Sequence, residues 1–343
     1  MNKKRAVGLA FIYVGTVVGA GFSSGQEIWR FFARHQESGI YSVLLVSIFF
    51  TILAPLFFRL GKKRGIKNYH CFFYNYLPGP LPYFFDLMYS CFLIGSVSVM
   101  LAGTGAIFKD LLGLPFFIGV LITLLLILIT LSLKNEGIMT INSILIPILT
   151  IITIYTVLSF LSGIKPIDLS DMVKNQGNNL EWLKDSILYG SYNLVMSIAA
   201  MTNIVYQEEE KDIVIGGIMG GVILTVLCLF IYIGLITVFK KTPEQEIPLL
   251  YMAKKGGINL YLSYIVALYF AMVTTAIANY NAFTKRLVSL IKINYRTALL
   301  LTILFVIPLV PSGFSVLVNN LYPIFGFIGI IITIFYFLLF FNS

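Results

Sequence analysis

The chain has 343 residues, 58% of them apolar and 11% charged, with a mean hydropathy of +0.91, whereas soluble domains average about 25% charged residues; this is an integral membrane protein. Two histidines and three scattered cysteines, Cys71, Cys91 and Cys228, give no zinc, haem or dithiol ligand set, and free thiols are expected. The net charge of +9 sits in clusters between apolar runs, which marks membrane topology and not a nucleic-acid surface.

A transmembrane helix needs roughly 20 apolar residues to cross about 30 Å of hydrocarbon. Apolar runs bounded by charges place ten spans at about 6–32, 39–59, 81–107, 113–133, 137–162, 183–206, 213–238, 257–284, 297–312 and 314–341. An even number puts both termini on one face. A cytoplasmic N-terminus leaves fourteen Lys and Arg inside against ten outside, with the dense clusters 59–67 and 285–296 both inside. Lys3-Lys4-Arg5 and the apolar stretch after it also fit a cleavable signal peptide, but that stretch continues through Ile28, Trp29, Phe31 and Phe32.

The first span carries Gly15-Thr-Val-Val-Gly19-Ala20-Gly21-Phe22-Ser23-Ser24-Gly25-Gln26-Glu27. Glycine costs about 1 kcal/mol in a helix interior and a glutamate several in hydrocarbon, so this segment must face protein or water. Gly19 lies about 21 Å along a helix from Arg5, near mid-membrane, where transporters bind their cargo. Unwinding there would expose carbonyls on one half-helix and N–H groups on the other. The competing explanation is a small-x-x-x-small groove of Gly15, Gly19 and Gly21 packed on a neighbouring helix. Span six repeats the theme in Tyr189-Gly190-Ser191-Tyr192-Asn193, so a second break is expected there. Interrupted spans at positions one and six of ten imply a five-plus-five inverted repeat: residues 1–163, an extracellular loop 164–181, and residues 182–343.

Val18-Gly-Ala-Gly-Phe-Ser-Ser-Gly-Gln-Glu-Ile28 resembles the first-helix signature of the YkvI-type bacterial membrane proteins. That family looks like a distant branch of the amino acid–polyamine–organocation superfamily, which has the leucine-transporter (LeuT) fold. The resemblance implies an all-α transporter in the bacterial cytoplasmic membrane, with broken helices 1 and 6. In the sodium-coupled branch, an Ala-x-x-Thr-Ser pattern in helix eight and first-helix carbonyls hold Na⁺. The matching positions here are Ala271, Thr274 and Thr275, with Gly15 and Val18. Phe22 and Gly25 stand where that branch has a second-sodium asparagine and an outer-gate arginine, so one sodium is implied. The amides of Gly19, Ala20 and Gly21 match the family's substrate-carboxylate anchor, with Tyr89 or Ser96 as third-helix partner.

Intramembrane acids are functional candidates by default, and Glu27 and Asp86 are singled out on that ground. Glu27 could carry a coupling proton, contact a substrate amine, act as a gate or brace the break; its bland alternative is an ion pair with Arg30 at i+3. Asp86 lies near the cytoplasmic end of span three and fits a wetted vestibule. Glu208-Glu-Glu210 reads as a solvated loop able to meet nearby bases. Pro243-Glu-Gln-Glu-Ile-Pro248 resembles a hairpin capping the cavity, Pro147 and Pro323 would kink their spans, and Asn319, Asn320 and Tyr322 give span ten a polar patch.

These readings combine into an expected LeuT-like secondary transporter of a small zwitterion, an amino acid first, coupled to Na⁺ or H⁺. Alternating access would turn on Gly19–Gly21 and on Gly190, Ser191, Tyr192 and Asn193. A nutrient sensor that binds in the same pocket without flux is the alternative. No set of residues for catalysis converges in the spans, so an enzyme is not expected.

Overall fold

A computed structural model describes residues 3–66, 74, 79–133, 138–163, 180–238 and 246–341. Residues 164–179, 239–245, His70 and Cys71 lie outside them, and with them most of the expected 164–181 loop and the start of the expected hairpin.

Span one is three pieces: α1 (Lys3–Val17), α2 (Ala20–Ser23) and α3 (Gln26–Phe31). A 3₁₀ segment, Ala33–Ser38, leads to span two, where α4 (Gly39–Ile48) and α5 (Ala54–Lys63) are joined by a π-helical turn at Phe49–Leu53. The following spans are α6 (Leu81–Leu112), α7 (Phe116–Ser132), α8 (Ile138–Ser162), α9 (Glu181–Val205) and α10 (Glu210–Thr237). A short α11 (Pro248–Lys255) precedes α12 (Ile258–Ile291), α13 (Tyr295–Val306) and α14 (Phe314–Phe341). The ten expected spans are therefore all helical, and α6 and α12 extend beyond their apolar runs, ending at the left-handed residues Gly113 and Lys292. Six described helical runs are long and apolar enough to cross a bilayer on those criteria alone. Span one misses them because it is interrupted.

One expectation is overturned. α9 runs unbroken from Glu181 to Val205, so there is no second break at Gly190–Asn193. The small and polar residues there have other partners. A side chain at Gly190 would meet the Phe49 ring at 2.6 Å, so glycine admits that ring against the helix. The Asn193 amide donates to Tyr189 O at 3.1 Å and the Ser197 hydroxyl to Asn193 O at 2.7 Å. Bonds of this back-turned kind satisfy polar side chains without unwinding the helix.

The packing follows the order of the spans. α1 lies along α10, while α9 lies against α4 and α5; α12 packs on α8, while α6 packs on α14. α6 and α12 run together through the centre, and α9 has α14 along its length. The packing of α1 on α10 maps onto that of α9 on α4 and α5, and α12 on α8 onto α6 on α14, when spans one to five are exchanged for spans six to ten; the α9–α14 contact has only a slighter counterpart between span one and α8. Close approach of span seven to span two rests on glycine, since a side chain at Gly221 would lie 2.6 Å from the carbonyl carbon of Phe50, at the π-turn.

The two ends of the bundle carry different charge clusters. At one end Arg5 pairs with Glu208 at 3.5 Å, Arg59 and Lys63 pair with Glu210, and Asp86 of α6 pairs with Arg286 of α12. At the other end Arg30, Arg34 and His35 meet Asp185. The acids Glu208 and Glu210 are thus tied to bases and are not merely solvated.

Candidate functional site

The break in span one is held by a few specific bonds. At its first interruption Gly19 N donates to Val17 O at 2.8 Å, closing a tight non-helical turn. At the second, the Ser24 hydroxyl donates to Gly21 O at 2.8 Å and accepts from Gln26 N at 3.2 Å, joining the end of α2 to the start of α3. Gly25 has φ +80°, a left-handed conformation that favours glycine, and a side chain there would meet Leu249 at 2.9 Å. α11 closes over this turn through Leu249 N, which donates to Ser24 O at 3.0 Å. Tyr264 of α12 donates to the neighbouring Ser23 carbonyl. The described part of the expected hairpin therefore does cap the break.

Gly19 and Gly21 are not packing surfaces for another helix. An added Cβ at Gly19 would meet nothing within 4 Å, and one at Gly21 would collide with the carboxylate of Glu27, from the same span. Gly21 is glycine because the glutamate folds back into its place. The side chain of Glu27 is buried, with the residue 4% exposed, and it accepts a hydrogen bond from Tyr192 Oη of α9 at 2.6 Å. The hydroxyl of Tyr189, one turn earlier on α9, faces the same carboxylate without hydrogen-bonding geometry and is left unpartnered, as are Ser23 Oγ and Gln26 Oε1. Cys228 and Tyr322 lie close to the same carboxylate. The alternative of a Glu27–Arg30 ion pair is not realised. Arg30 turns instead to Asp185, with Nη1 2.8 Å from Oδ2.

Asp185 is the functional candidate that sequence reasoning passed over. Its Oδ2 also accepts from Arg34 Nη2 at 2.6 Å and lies 2.9 Å from His35 Nε2, and its side chain is 4% exposed. Arg30 and Arg34 stand four residues apart, and like charges at that spacing repel, which is the signal that an acid from elsewhere must sit between them. With Gln26 Nε2 donating to Ser315 Oγ at 2.6 Å and Asn319 donating to the same oxygen at 3.3 Å, spans one, six and ten are bound together at this end.

The half of the bundle nearer Asp86 holds an open cleft between α6, α9 and α14. Three stripes at helical spacing line it: Phe85, Met88, Tyr89 and Phe92; Tyr192, Val195 and Met196; and Phe325, Ile328, Gly329 and Ile332. Tyr192 belongs to both sites, its ring to the cleft wall and its hydroxyl to Glu27.

The other expected site residues are distributed as follows. Tyr89 and Tyr192 share the cleft. Ser96 is buried and accepts from Asn279 at 2.8 Å. Gly190 faces Phe49, and the Ser191 backbone lies against Gly329. In α12, the Thr274 hydroxyl donates to Phe270 O at 2.9 Å, its own i−4 carbonyl, and Ala271 packs beside Leu149 of α8. Gly15 and Val18 lie at the end of α1, Val18 N donating to Val14 O at 2.8 Å.

No family model matches the chain. The uncharacterized membrane protein YkvI of Bacillus subtilis is 28% identical over 338 residues, covering 96% of this chain and 94% of its own. The uncharacterized protein YyaD of the same organism is 28% identical over 331 residues, covering 94% and 93%. The chain is a homologue of YkvI and YyaD. Among solved structures, the inward-facing conformation of Mhp1 superposes with a TM-score of 0.67 at 13% identity, covering 94% of this chain and 72% of that one. An Eremococcus coleocola manganese transporter gives 0.57 at 14% identity, covering 96% and 77%. These likenesses show a LeuT-like membrane fold.

Proposed function

We propose that the protein is a secondary active transporter that moves a small solute by alternating access around the break at Val18–Gly25. The observation that carries this reading is the asymmetry of the site. At the Asp185 end, two arginines and His35 on one carboxylate and the cap of α11 close the break; in the other half, a cleft reaches Tyr192, which holds Glu27. With both termini cytoplasmic, as the Lys and Arg distribution suggests, the closed end is extracellular and the cleft lies on the cytoplasmic side. An amino acid is the cargo to test first.

For the coupling ion, Glu27 is the stronger candidate. It is a buried acid with no cation beside it among the described residues and a hydrogen-bond donor in place, and a proton there would remove the cost of a buried charge. The Na⁺ alternative needs the hydroxyl oxygens of Thr274 and Thr275; Thr274 gives its proton to Phe270 O and keeps its lone pairs for a cation.

The test is uptake into proteoliposomes from a panel of the twenty amino acids, under an inward proton gradient and, separately, a sodium gradient. Accumulation that follows the proton gradient and is lost in Glu27→Gln, with Thr274→Val unaffected, supports this reading. Dependence on sodium that is lost only in Thr274→Val moves the coupling to α12. Saturable binding with no flux under any gradient overturns transport in favour of a sensor.

A further inference from the structure

The two tyrosines that face Glu27 are not equivalent. Tyr192 Oη lies 2.6 Å from Glu27 Oε2, a length usual for a hydroxyl donating to an ionised carboxylate. The Tyr189 hydroxyl, three residues earlier on α9, is fully buried beside the same carboxylate and has no hydrogen-bond partner among the described residues.

The Tyr189 ring cannot carry its hydroxyl elsewhere. Phe32 meets it edge-on with centroids 4.7 Å apart, Phe31 tilts against it at 5.1 Å, and Tyr192 and Phe50 close it in edge-on at 5.3 and 6.3 Å. Phenylalanine would fill this space equally well and avoid the cost of an unsatisfied buried hydroxyl. The oxygen therefore has a use that this state of the site does not display. Among the described residues, the titratable neighbours of Glu27 are Tyr189 and Tyr192 of α9, Cys228 of α10 and Tyr322 of α14. Arg30, on the same half-helix, is turned to Asp185.

An ionised carboxylate only accepts hydrogen bonds, whereas a protonated one has an O–H to give. In a buried site that O–H needs an acceptor as much as the carboxylate needs a donor. Tyr192 has committed its proton to Oε2. Tyr189 has an oxygen lone pair to offer, and a small turn of the Glu27 carboxyl can meet it without breaking the Tyr192 bond.

We infer that Tyr189 is the positioning residue of the proton-loaded site: its hydroxyl accepts the hydrogen bond from protonated Glu27, as Tyr192 donates to the ionised form. The pair then holds the acid in one place in both protonation states. This rests on the reading of Glu27 as the coupling acid and adds how its proton is held.

The experiment is a pH titration of the purified full-length protein in detergent by infrared difference spectroscopy. The readout is the carbonyl stretch of the protonated carboxylic acid, identified as the band missing from Glu27→Gln. Tyr189→Phe removes the acceptor from the protonated form and relieves the ionised form of an unpartnered hydroxyl, so the band should reach half height only at about tenfold higher proton concentration. Tyr192→Phe removes the donor to the ionised form and should move the same midpoint the other way, to lower proton concentration. Both substitutions keep the ring, and a folding failure of Tyr192→Phe leaves the Tyr189→Phe comparison intact. A merely structural role for Tyr189 would change stability without moving the midpoint.

A midpoint unmoved in Tyr189→Phe overturns the inference. So does one moved to lower proton concentration, which would make Tyr189 a second donor to the carboxylate. Either result leaves Glu27 as the coupling acid if proton-driven uptake is still lost in Glu27→Gln. Midpoints that move in opposite directions, with uptake indifferent to the proton gradient, would keep the hydrogen-bond assignment and remove the coupling reading. A Glu27 band that is absent, or constant, at every pH where the protein stays folded would overturn both.

Discussion

Tyr192 donates its hydroxyl to Glu27 across 2.6 Å, and the two residues stand 165 positions apart in the chain. The bond spans the gap between the broken helix and the unbroken one. A buried acid whose donor is removed keeps its desolvation cost and loses its compensation, so Tyr192→Phe should lower stability by about 1–3 kcal/mol in denaturant unfolding. Glu27→Met combined with Tyr192→Phe should cost less than the sum of the single changes, because the two share one hydrogen bond and methionine keeps no acceptor for it. Strict additivity would mean that the contact contributes nothing.

Asp185→Ala leaves Arg30, Arg34 and His35 facing one another without an acid. Removing one partner of a buried ion pair costs roughly 3–5 kcal/mol, so a loss of that order is expected in thermal or denaturant melts. The same substitution should raise labelling of a cysteine introduced at Ser24 by a membrane-impermeant thiol reagent, because the closed end loosens. Unchanged labelling would show that α11 alone seals the break.

Asp86→Ala should be as damaging as Asp185→Ala, since it strands Arg286 at the opposite end. Replacing both partners, Asp86→Leu with Arg286→Met, should recover most of the stability, because apolar pairs of similar volume substitute well for buried ion pairs. The melting temperatures of the single and double variants decide this.

Gly19→Ala and Gly221→Ala separate two uses of glycine. At Gly221 the added methyl meets the Phe50 backbone, and overpacking of this kind costs about 1–3 kcal/mol. At Gly19 the methyl has room, while alanine favours helix by about 1 kcal/mol, so the variant should melt no lower than the parent yet transport more slowly. A large loss of stability in Gly19→Ala would restore the packing explanation.

How much of this could be read in the sequence depended on whether the signal was local. The ten spans follow from apolar runs, which report their environment residue by residue. The break in span one was legible because four glycines, two serines and two polar residues fall within thirteen positions, more than helix packing requires. The same logic failed at Gly190, where a single glycine serves one ring, Phe49, and Asn193 finds a carbonyl within its own helix. The partner of Glu27 and the gathering of Arg30, Arg34 and His35 on Asp185 come from tertiary proximity between distant spans. Arg30 was the nearest base to Glu27 in sequence, but the carboxylate turns towards Gly21 and the guanidinium away from it.

The concentration of three donors on a single oxygen, Asp185 Oδ2, has a kinetic meaning. Contacts spread over many acceptors are released one by one, with intermediate strengths of closure between. Here one rotation of one side chain about its Cα–Cβ bond withdraws the acceptor from all three donors together. The ionic part of the closure would then be released in one step, leaving the α11 cap and the Gln26–Ser315 bond as separate barriers to traffic past this end.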